Sequence, residues 1–371
     1  MTAPVVTGLI VENFKCFEHL RIPLAPLTVL SGYNGAGKSS AIQPLLLLAQ
    51  RARRGSLDGG SENDVLPLNG NLARLGSAGD VLRTQAEGAP LRFGFETEEE
   101  TLFLEASART GQRNLKVEMT GDRERWDALL SKLERLVLIS AVRGGPAEAF
   151  PAPDLSESDT PDVGADGRYA SYWYDRLADT EIEEARRFVG EPADTFRRQL
   201  DAWFGSIAPG ASATVQALPV ASIFALQFRL SGIGEWRRPA NVGYGLTYAF
   251  PILVALLAAG RGDTLVIDSP EAHLHPRAQS RMGWMLAAFA AAGVRLIVET
   301  HSDHVLNGIR RAVKDDKLDA SDLALLFFAG GGETDHGVTR PRVDAEGRID
   351  EWPDGFFDQG DHDLAVLSGW E

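Results

Sequence analysis

Leu27-Thr-Val-Leu-Ser-Gly32-Tyr-Asn34-Gly35-Ala36-Gly37-Lys38-Ser39-Ser40 has the residue types and the spacing to hold a chain of phosphates. An apolar run ends in G-x-x-x-x-G-K-S, and Ala41-Ile42-Gln43 and four leucines, Leu45 to Leu48, follow. The pattern predicts a buried strand, a glycine-rich turn and a helix opening at the lysine. Glycine at 32, 35 and 37 lets the backbone turn its N–H groups from Asn34 to Ser40 toward an anion. The helix dipole adds to that field. Lys38 is placed for the β/γ-phosphates and the Ser39 hydroxyl for Mg²⁺, so the expected ligands are a nucleotide and Mg²⁺.

Three further stretches offer chemistry. Leu265-Val-Ile-Asp268-Ser269-Pro-Glu271-Ala-His273-Leu-His275-Pro276 is an apolar strand ending in a carboxylate suited to a metal, opposite Ser39. His273 and His275 could be read as zinc ligands, but no cysteine lies nearby to support them. Leu296-Ile-Val-Glu299-Thr300-His301-Ser-Asp303 is a second strand running into a helix, with Thr300 and Asp303 in capping-box spacing. His301 falls at the strand-to-helix corner, the edge where open α/β sheets bind ligands. Asn241-Val-Gly243-Tyr-Gly245-Leu-Thr247 precedes an apolar helix predicted from Pro251, and makes a second anion-binding corner.

The elements that position these motifs read as follows. Strands are expected at 5–14, 20–24 and 27–30, with the helix after the phosphate loop running to about Arg54. Residues 55–64 form a Gly/Ser/Asp-rich loop. Short runs at 91–95, 101–106 and 114–119 predict an antiparallel meander. An amphipathic helix follows at 122–135, with Trp126, Leu129, Leu130 and Leu133 on one face, and then a buried strand at 136–140. Residues 144–168, rich in proline and aspartate, predict a mobile loop. Helices are expected at 169–189 and 192–204, their aromatics packing a small subdomain rather than stacking on bases. After strands expected near 213–218 and 223–230, helices alternate with strands from Pro251 onward, the pattern of a mostly parallel sheet.

Composition narrows the function. The chain has 371 residues, 44% hydrophobic and 24% charged, with net charge −15. Its surface as a whole repels nucleic acid and anionic membrane. Arg51, Arg53 and Arg54 make one tight basic cluster, readable as a local groove or as a helix C-terminus. Cys16 is the only cysteine, which excludes an internal disulfide. The start, Met-Thr-Ala-Pro-Val-Val, lacks the pattern of a signal peptide, and the longest apolar run is too short to span a bilayer. The expectation is a cytoplasmic protein with no membrane partner.

Taken together these pieces resemble the ABC-type ATPases of the SMC, RecF and OLD group. The resemblance rests on Ile10-Val-Glu-Asn-Phe-Lys15, the Gly32–Ser40 loop, Asn-Val-Gly-Tyr-Gly-Leu-Thr, Asp-Ser-Pro-Glu-Ala-His-Leu-His-Pro and Glu-Thr-His-Ser. It covers about 1–50 and 236–371, and is similar above all to small prokaryotic members with a C-terminal Trp352-Pro-Asp-Gly-Phe-Phe segment. Ser140-Ala-Val-Arg143-Gly-Gly-Pro also looks like a family element.

The resemblance implies an α/β ABC-ATPase head: a mostly parallel P-loop sheet, an antiparallel N-terminal subdomain and a helical insertion. With no sustained heptads between Lys38 and Asp268, coiled-coil arms are not expected. It implies an N-terminal lobe with Walker A at 1–140, a loop and helical insertion at 141–215, a C-terminal lobe at 216–340 and an extension at 341–371. It implies a Walker A that binds nucleotide through Asn34, Gly35, Ala36, Gly37, Lys38, Ser39 and Ser40. Ser39 and Asp268 are its metal residues, and His301 its switch histidine. A signature loop of Asn241, Gly243, Gly245 and Thr247 would act in trans on a head-to-tail homodimer. Ser269 stands where many such ATPases carry a glutamate base, so Glu271, two residues on in an extended chain, is the expected base. The function implied is an ATP-hydrolysing switch that controls an effector such as a nuclease, in anti-phage defence or DNA maintenance. The alternative is a RecF-like, ATP-gated DNA clamp in repair. The D-x-D at Asp361 and Asp363 has too short a chain around it for a nuclease domain, so no nuclease activity of its own is expected.

Overall fold

The computed structural model describes residues 5–54, 65–84, 89–145, 147–154, 160–218, 222–230, 234–331, 337–357 and 359–369. The loop expected at 55–64 lies outside them. The chain forms two compact units, one of residues 1–136, 324–342 and 349–371, the other of 137–323 and 343–348. Elements are numbered in chain order.

In the first unit, β1 (Gly8–Phe14), β2 (Phe17–Pro23), β4 (Val65–Pro67), β5 (Leu91–Glu96), β6 (Thr101–Ser107) and β7 (Asn114–Thr120) form one sheet in the order β2-β1-β5-β6-β7-β4. All five neighbouring pairs in that order are antiparallel. The alternation that predicted a meander buries Phe93, Phe95, Leu102, Leu104, Leu115 and Val117. Phe93 meets Phe14 edge-on at 5.4 Å, and Phe95 meets Trp126 at 5.8 Å. Trp126 belongs to α3 (Arg123–Glu134), which buries Trp126, Leu129 and Leu133 and leaves Leu130 half-buried. Asp122 caps it by accepting from the Glu124 and Arg125 N–H groups. A short α2 (Ala78–Val81) lies between β4 and β5.

The same unit holds β3 (Leu27–Gly32) and α1 (Lys38–Ala52), with β14 (Leu323–Phe328) beside β3 and β15 (Val338–Thr339) antiparallel on β14. All four leucines of α1 are buried, so this helix is wrapped on several sides. Arg53, just past its end, donates to the carbonyls of Glu134 and Leu136, at the C-terminal end of α3. Arg53 thus donates at the C-terminus of a neighbouring helix, where the expectation was an offset to the dipole of its own. The unit closes with α9 (Gln359–Leu367).

In the second unit β8 (Val137–Ile139), β12 (Thr264–Asp268) and β13 (Arg295–Glu299) run parallel, with β12 central. α7 (Pro276–Ala291) follows β12 and α8 (Asp303–Lys314) follows β13. β9 (Ala149–Pro151), β10 (Ser212–Leu218) and β11 (Ile223–Arg229) form an antiparallel sheet in the order β10-β11-β9. α4 (Ala170–Leu177), α5 (Phe196–Ile207) and α6 (Tyr244–Ala258) contribute the aromatic core. Tyr174 lies against Phe196 and Phe250, Phe204 against Phe228, and Trp203 against Phe289. These rings pack one another, as expected.

Three expectations need correction. Residues 160–168 are not a mobile loop: Val163 is fully buried, Trp173 Nε1 donates to the Asp162 carbonyl, and Ser140 N–H donates to that of Ala165. Backbone hydrogen bonds fix a segment whose composition alone reads as disordered. The helix expected at 169–189 stops at Leu177, where the Thr180 hydroxyl takes the Leu177 carbonyl. And α6 begins at Tyr244, seven residues before Pro251, which sits inside it. Pro251 removes one helix hydrogen bond, to the Thr247 carbonyl, yet the helix is buried nearly all round and packing holds it.

Candidate functional site

The phosphate loop joins β3 to α1 in the first unit. Gly32, Gly35 and Gly37 all have positive φ, at 136°, 76° and 101°. A Cβ on Gly32 would lie 2.1 Å from the Phe328 carbonyl oxygen, and one on Gly37 would lie 2.7 Å from the Phe17 ring. Only glycine fits either place. Gly37 caps α1 without any side-chain cap, and no acidic residue stands in the first turn. The dipole end therefore faces the loop with no carboxylate competing for it. Lys38 is buried, and its ammonium donates to the carbonyls of Gly32 (3.0 Å) and Tyr33 (2.8 Å). Asn34, Gly35 and Ser39 are exposed, Gly37 and Ser40 partly so, and Ala36 is buried. A cradle that a Cβ would close, a lysine folded over it and a hydroxyl at the second helical residue fit a nucleotide's phosphates.

The second unit carries the other motifs on its parallel strands. Asp268 ends β12 and accepts from the Ser269 hydroxyl at 2.8 Å. Beyond it the chain does not stay extended: Ser269 has φ 50°, and the Ala272 N–H closes a turn on the Ser269 carbonyl. Glu271 therefore does not reach its place by strand alternation. Its carboxylate is fixed instead from β13: Oε2 accepts from the Thr300 hydroxyl at 2.7 Å and Oε1 from the His301 N–H at 2.9 Å. Ser302, not Thr300, caps α8, accepting from the Val305 N–H. The Thr300 hydroxyl accepts from the Ser302 N–H at 3.1 Å and donates to Glu271. His301 is exposed beside this pair. The oxygens of Asp268 and Ser39 are hard donors of the kind Mg²⁺ takes.

Asn241 and Gly243 are exposed just before α6, with Gly243 at its N-cap. Gly245 lies against the Asp268–His275 turn, where a Cβ would approach the His273 carbonyl oxygen to 2.8 Å. Thr247 is buried and its hydroxyl is without a partner. It lines a small cavity with Arg143, Ser171, Phe250 and Pro251 that has room for about one water.

Sequence reasoning left Arg143 without a role. Its guanidinium is buried and donates to the carbonyls of Asp268 and Ser269, and lies 5.2 Å over the Tyr248 ring of α6. Burial pushes its pKa down to about 10, against the pull of Asp268 and Glu271. Tyr248 and Tyr244 both meet the His273 ring, at 4.6 and 5.5 Å. One face of α6 is thus packed on the turn that carries Asp268 and Glu271. The Ser-Ala-Val-Arg-Gly-Gly stretch after a buried strand was the available signal. His273 is taken up in this stack, and His275 caps α7 by accepting from the Arg277 N–H. Among the described residues no group of three His, Cys, Asp or Glu is placed to hold a metal. Among them, too, no helix is long and apolar enough to cross a membrane.

Three family models match the chain. Residues 6–104 match an "AAA ATPase domain", 175–307 an "AAA domain, putative AbiEii toxin, Type IV TA system", and 318–367 a "Protein of unknown function (DUF3696)". No curated protein matches the chain in sequence. Among solved structures, it resembles an Smc head bound to the C-winged helix domain of ScpA, with TM-score 0.51 and 12% identity over 92% of this chain and 98% of that one. It also resembles an Smc head domain with an extended coiled coil, bound to the C-terminal domain of ScpA, derived from Pyrococcus furiosus. There the TM-score is 0.52 and identity 12%, over 98% of this chain and 100% of that one. The α/β fold is that of SMC head domains.

Proposed function

We propose that the chain is an ABC-type ATPase of the SMC/RecF/OLD-like group, an ATP-driven switch acting on a separate effector. The observation that carries the reading is the loop of positive-φ glycines closed by Lys38 at the uncapped start of α1. Lys38 and the N–H groups of 34–40 bind the phosphates, and Ser39 and Asp268 are the metal residues. Bound Mg²⁺ supplies neutralisation of phosphate charge. Glu271, held by Thr300 and the His301 N–H, is the base that orients and deprotonates the attacking water, and His301 stands beside it as the switch residue.

Asn241 and Gly243, exposed at the start of α6, are the surface that a head-to-tail partner's nucleotide meets. Thr247 supports this corner from inside. The effector role draws on the relatives: one matching model is described with a toxin–antitoxin system, and both SMC heads are bound to a partner protein. Defence against phage is the setting we favour, with a nuclease as effector and the chain itself cutting nothing.

The DNA-clamp reading has less support, because Arg53 of the basic cluster is committed to the C-terminal end of α3 and Arg51 is buried. The test is phosphate release by the purified chain with ATP and Mg²⁺, against Lys38→Ala. Equal turnover by the two proteins would sink the reading.

A further inference from the structure

The C-terminal stretch Trp352-Pro-Asp-Gly-Phe-Phe357 lies in the region matched only by a model of unknown function. The mechanism above does not use it. In the structure it packs on the phosphate loop. Phe356 N–H bonds the Pro353 carbonyl at 2.9 Å, closing a turn whose third residue, Gly355, has φ 75°. That is the place where a type II turn requires glycine. Gly355 faces Tyr33: a Cβ there would come within 1.8 Å of the Tyr33 hydroxyl and 2.6 Å of Cζ. Phe356 is fully buried, edge-on to Phe327 at 5.3 Å and to Trp352 at 5.2 Å. Phe327 in turn meets the Tyr33 ring at 5.7 Å. Gly355 and Phe327 thus both bear on Tyr33.

Tyr33 is the second residue of the loop, and its backbone is engaged at both ends. Its N–H donates to the Phe328 carbonyl at 3.0 Å, and its carbonyl accepts from Lys38 Nζ and from the Ala36 N–H. The ammonium has three donors and no acceptor. Phosphate oxygens compete for it with the Gly32 and Tyr33 carbonyls, so nucleotide entry must redistribute the bonds that end on Tyr33. The side chain of that same residue is wedged against Gly355.

We propose that the Trp352–Phe357 segment is a positioning element for the phosphate loop: through Gly355 and Phe356 it sets Tyr33, and through Tyr33 the backbone to which Lys38 is tied. This rests on the ATP reading above and gives the C-terminal segment its task. Tyr33 and Gly355 are positioning residues; neither is assigned a contact with the reacting atoms. Nucleotide binding at 32–39 is then felt at 352–357.

The experiment is hydrogen–deuterium exchange of the full chain with and without a slowly hydrolysed ATP analogue and Mg²⁺, paired with a double-mutant cycle. Exchange should slow in 32–39 and change in 352–357 as well. Gly355→Ala should raise the Kd for a fluorescent ATP analogue about tenfold in the wild-type background and less than twofold in Tyr33→Ala, where the wedge is gone. Melting temperatures of the variants separate loop effects from global unfolding. Protection at 32–39 with 352–357 unchanged would overturn the proposal, as would an equal effect of Gly355→Ala in both backgrounds. Should either variant fail to fold, the exchange of the wild-type chain decides by itself. No protection at 32–39 refutes the ATP reading and, with it, this proposal, and is distinguished from the outcomes above by the silence of the loop.

Discussion

Thr300 Oγ1 donates a 2.7 Å hydrogen bond to Glu271 Oε2, joining the ends of two neighbouring parallel strands, β12 and β13. The bond holds the carboxylate at the edge of the sheet although the chain that bears it leaves β12 through a left-handed residue. Glu271→Gln should keep ATP binding and slow turnover about 10²-fold, the usual weight of a general base. Thr300→Val, which removes the holding bond and the acceptor of the Ser302 N–H, should slow turnover by about tenfold without moving the Kd for ATP. Single-turnover hydrolysis and a fluorescent-nucleotide titration check both. Because the two residues act as one unit, the double variant should be no slower than Glu271→Gln alone. Wild-type turnover in Glu271→Gln would move the base to His301.

Arg143→Met should lower turnover about tenfold, since the carbonyls of Asp268 and Ser269 lose the donors that fix their turn. The stability cost should be about 1–3 kcal/mol, because removal of a buried cation offsets part of the lost bonding. The pH dependence has a definite sign. Burial depresses this guanidinium to about 10, well below its ordinary value. Between those values the unfolded chain holds the proton more tightly, so the stability of the wild type rises with pH only in that window. Below about 10 the cation is charged in both states. Urea melts at pH 6, 7.5 and 9 should therefore give a constant difference between Arg143→Met and wild type.

The two glycines of the α6 corner are not equivalent as probes of a dimer. A Cβ on Gly245 strikes the His273 carbonyl, whereas one on Gly243 meets nothing within 4 Å. On the proposed head-to-tail dimer, Gly243→Asp is thus the variant that would place a carboxylate before a partner's γ-phosphate without disturbing its own subunit. We expect Gly243→Asp and Lys38→Ala each to be inactive, and their mixture to recover ATPase activity. With independently firing sites, up to about half of randomly paired dimers carry one intact site. Light scattering during size exclusion, with Glu271→Gln and ATP, should show a dimer. A nucleotide-loaded monomer would refute the composite site.

Cys16 offers a chemical report on the loop. Its sulfur lies 3.0 Å from where a Gly37 Cβ would stand, and burial raises its thiol pKa. The raised pKa keeps it a thiol at neutral pH, so maleimide labelling at pH 7 should be slower than that of a free thiol. Labelling wedges the β1–β2 turn from the loop, so the labelled chain should lose nucleotide affinity while Cys16→Ser retains it. Mass spectrometry of labelling with and without ATP provides the measurement, with ATP expected to protect.

The placement of the motifs was largely legible in the sequence, because they sit where strands end and helices begin. Those junctions obey local rules: apolar runs of strand length before Lys38, Glu271 and His301, glycine where φ must be positive, and a hydroxyl where a helix starts. Composition alone misled at 160–168, since proline and aspartate signal disorder only when nothing takes up the backbone hydrogen bonds. Pro251 misled for a related reason: a proline marks a first turn by preference, and a helix buried on all sides overrides that preference through packing. What no local rule could supply were the contacts between distant stretches. The turn at Ser269 places Glu271 only because Thr300 meets it there. Arg143 gains a role only because β8 delivers it beneath the Asp268 carbonyl, and Gly355 only because Tyr33 lies above it. Sequence spacing encodes periodicity along one element. Which residue stands across from it, some 29, 125 or more than 300 positions away in the chain, is decided by the packing of whole elements.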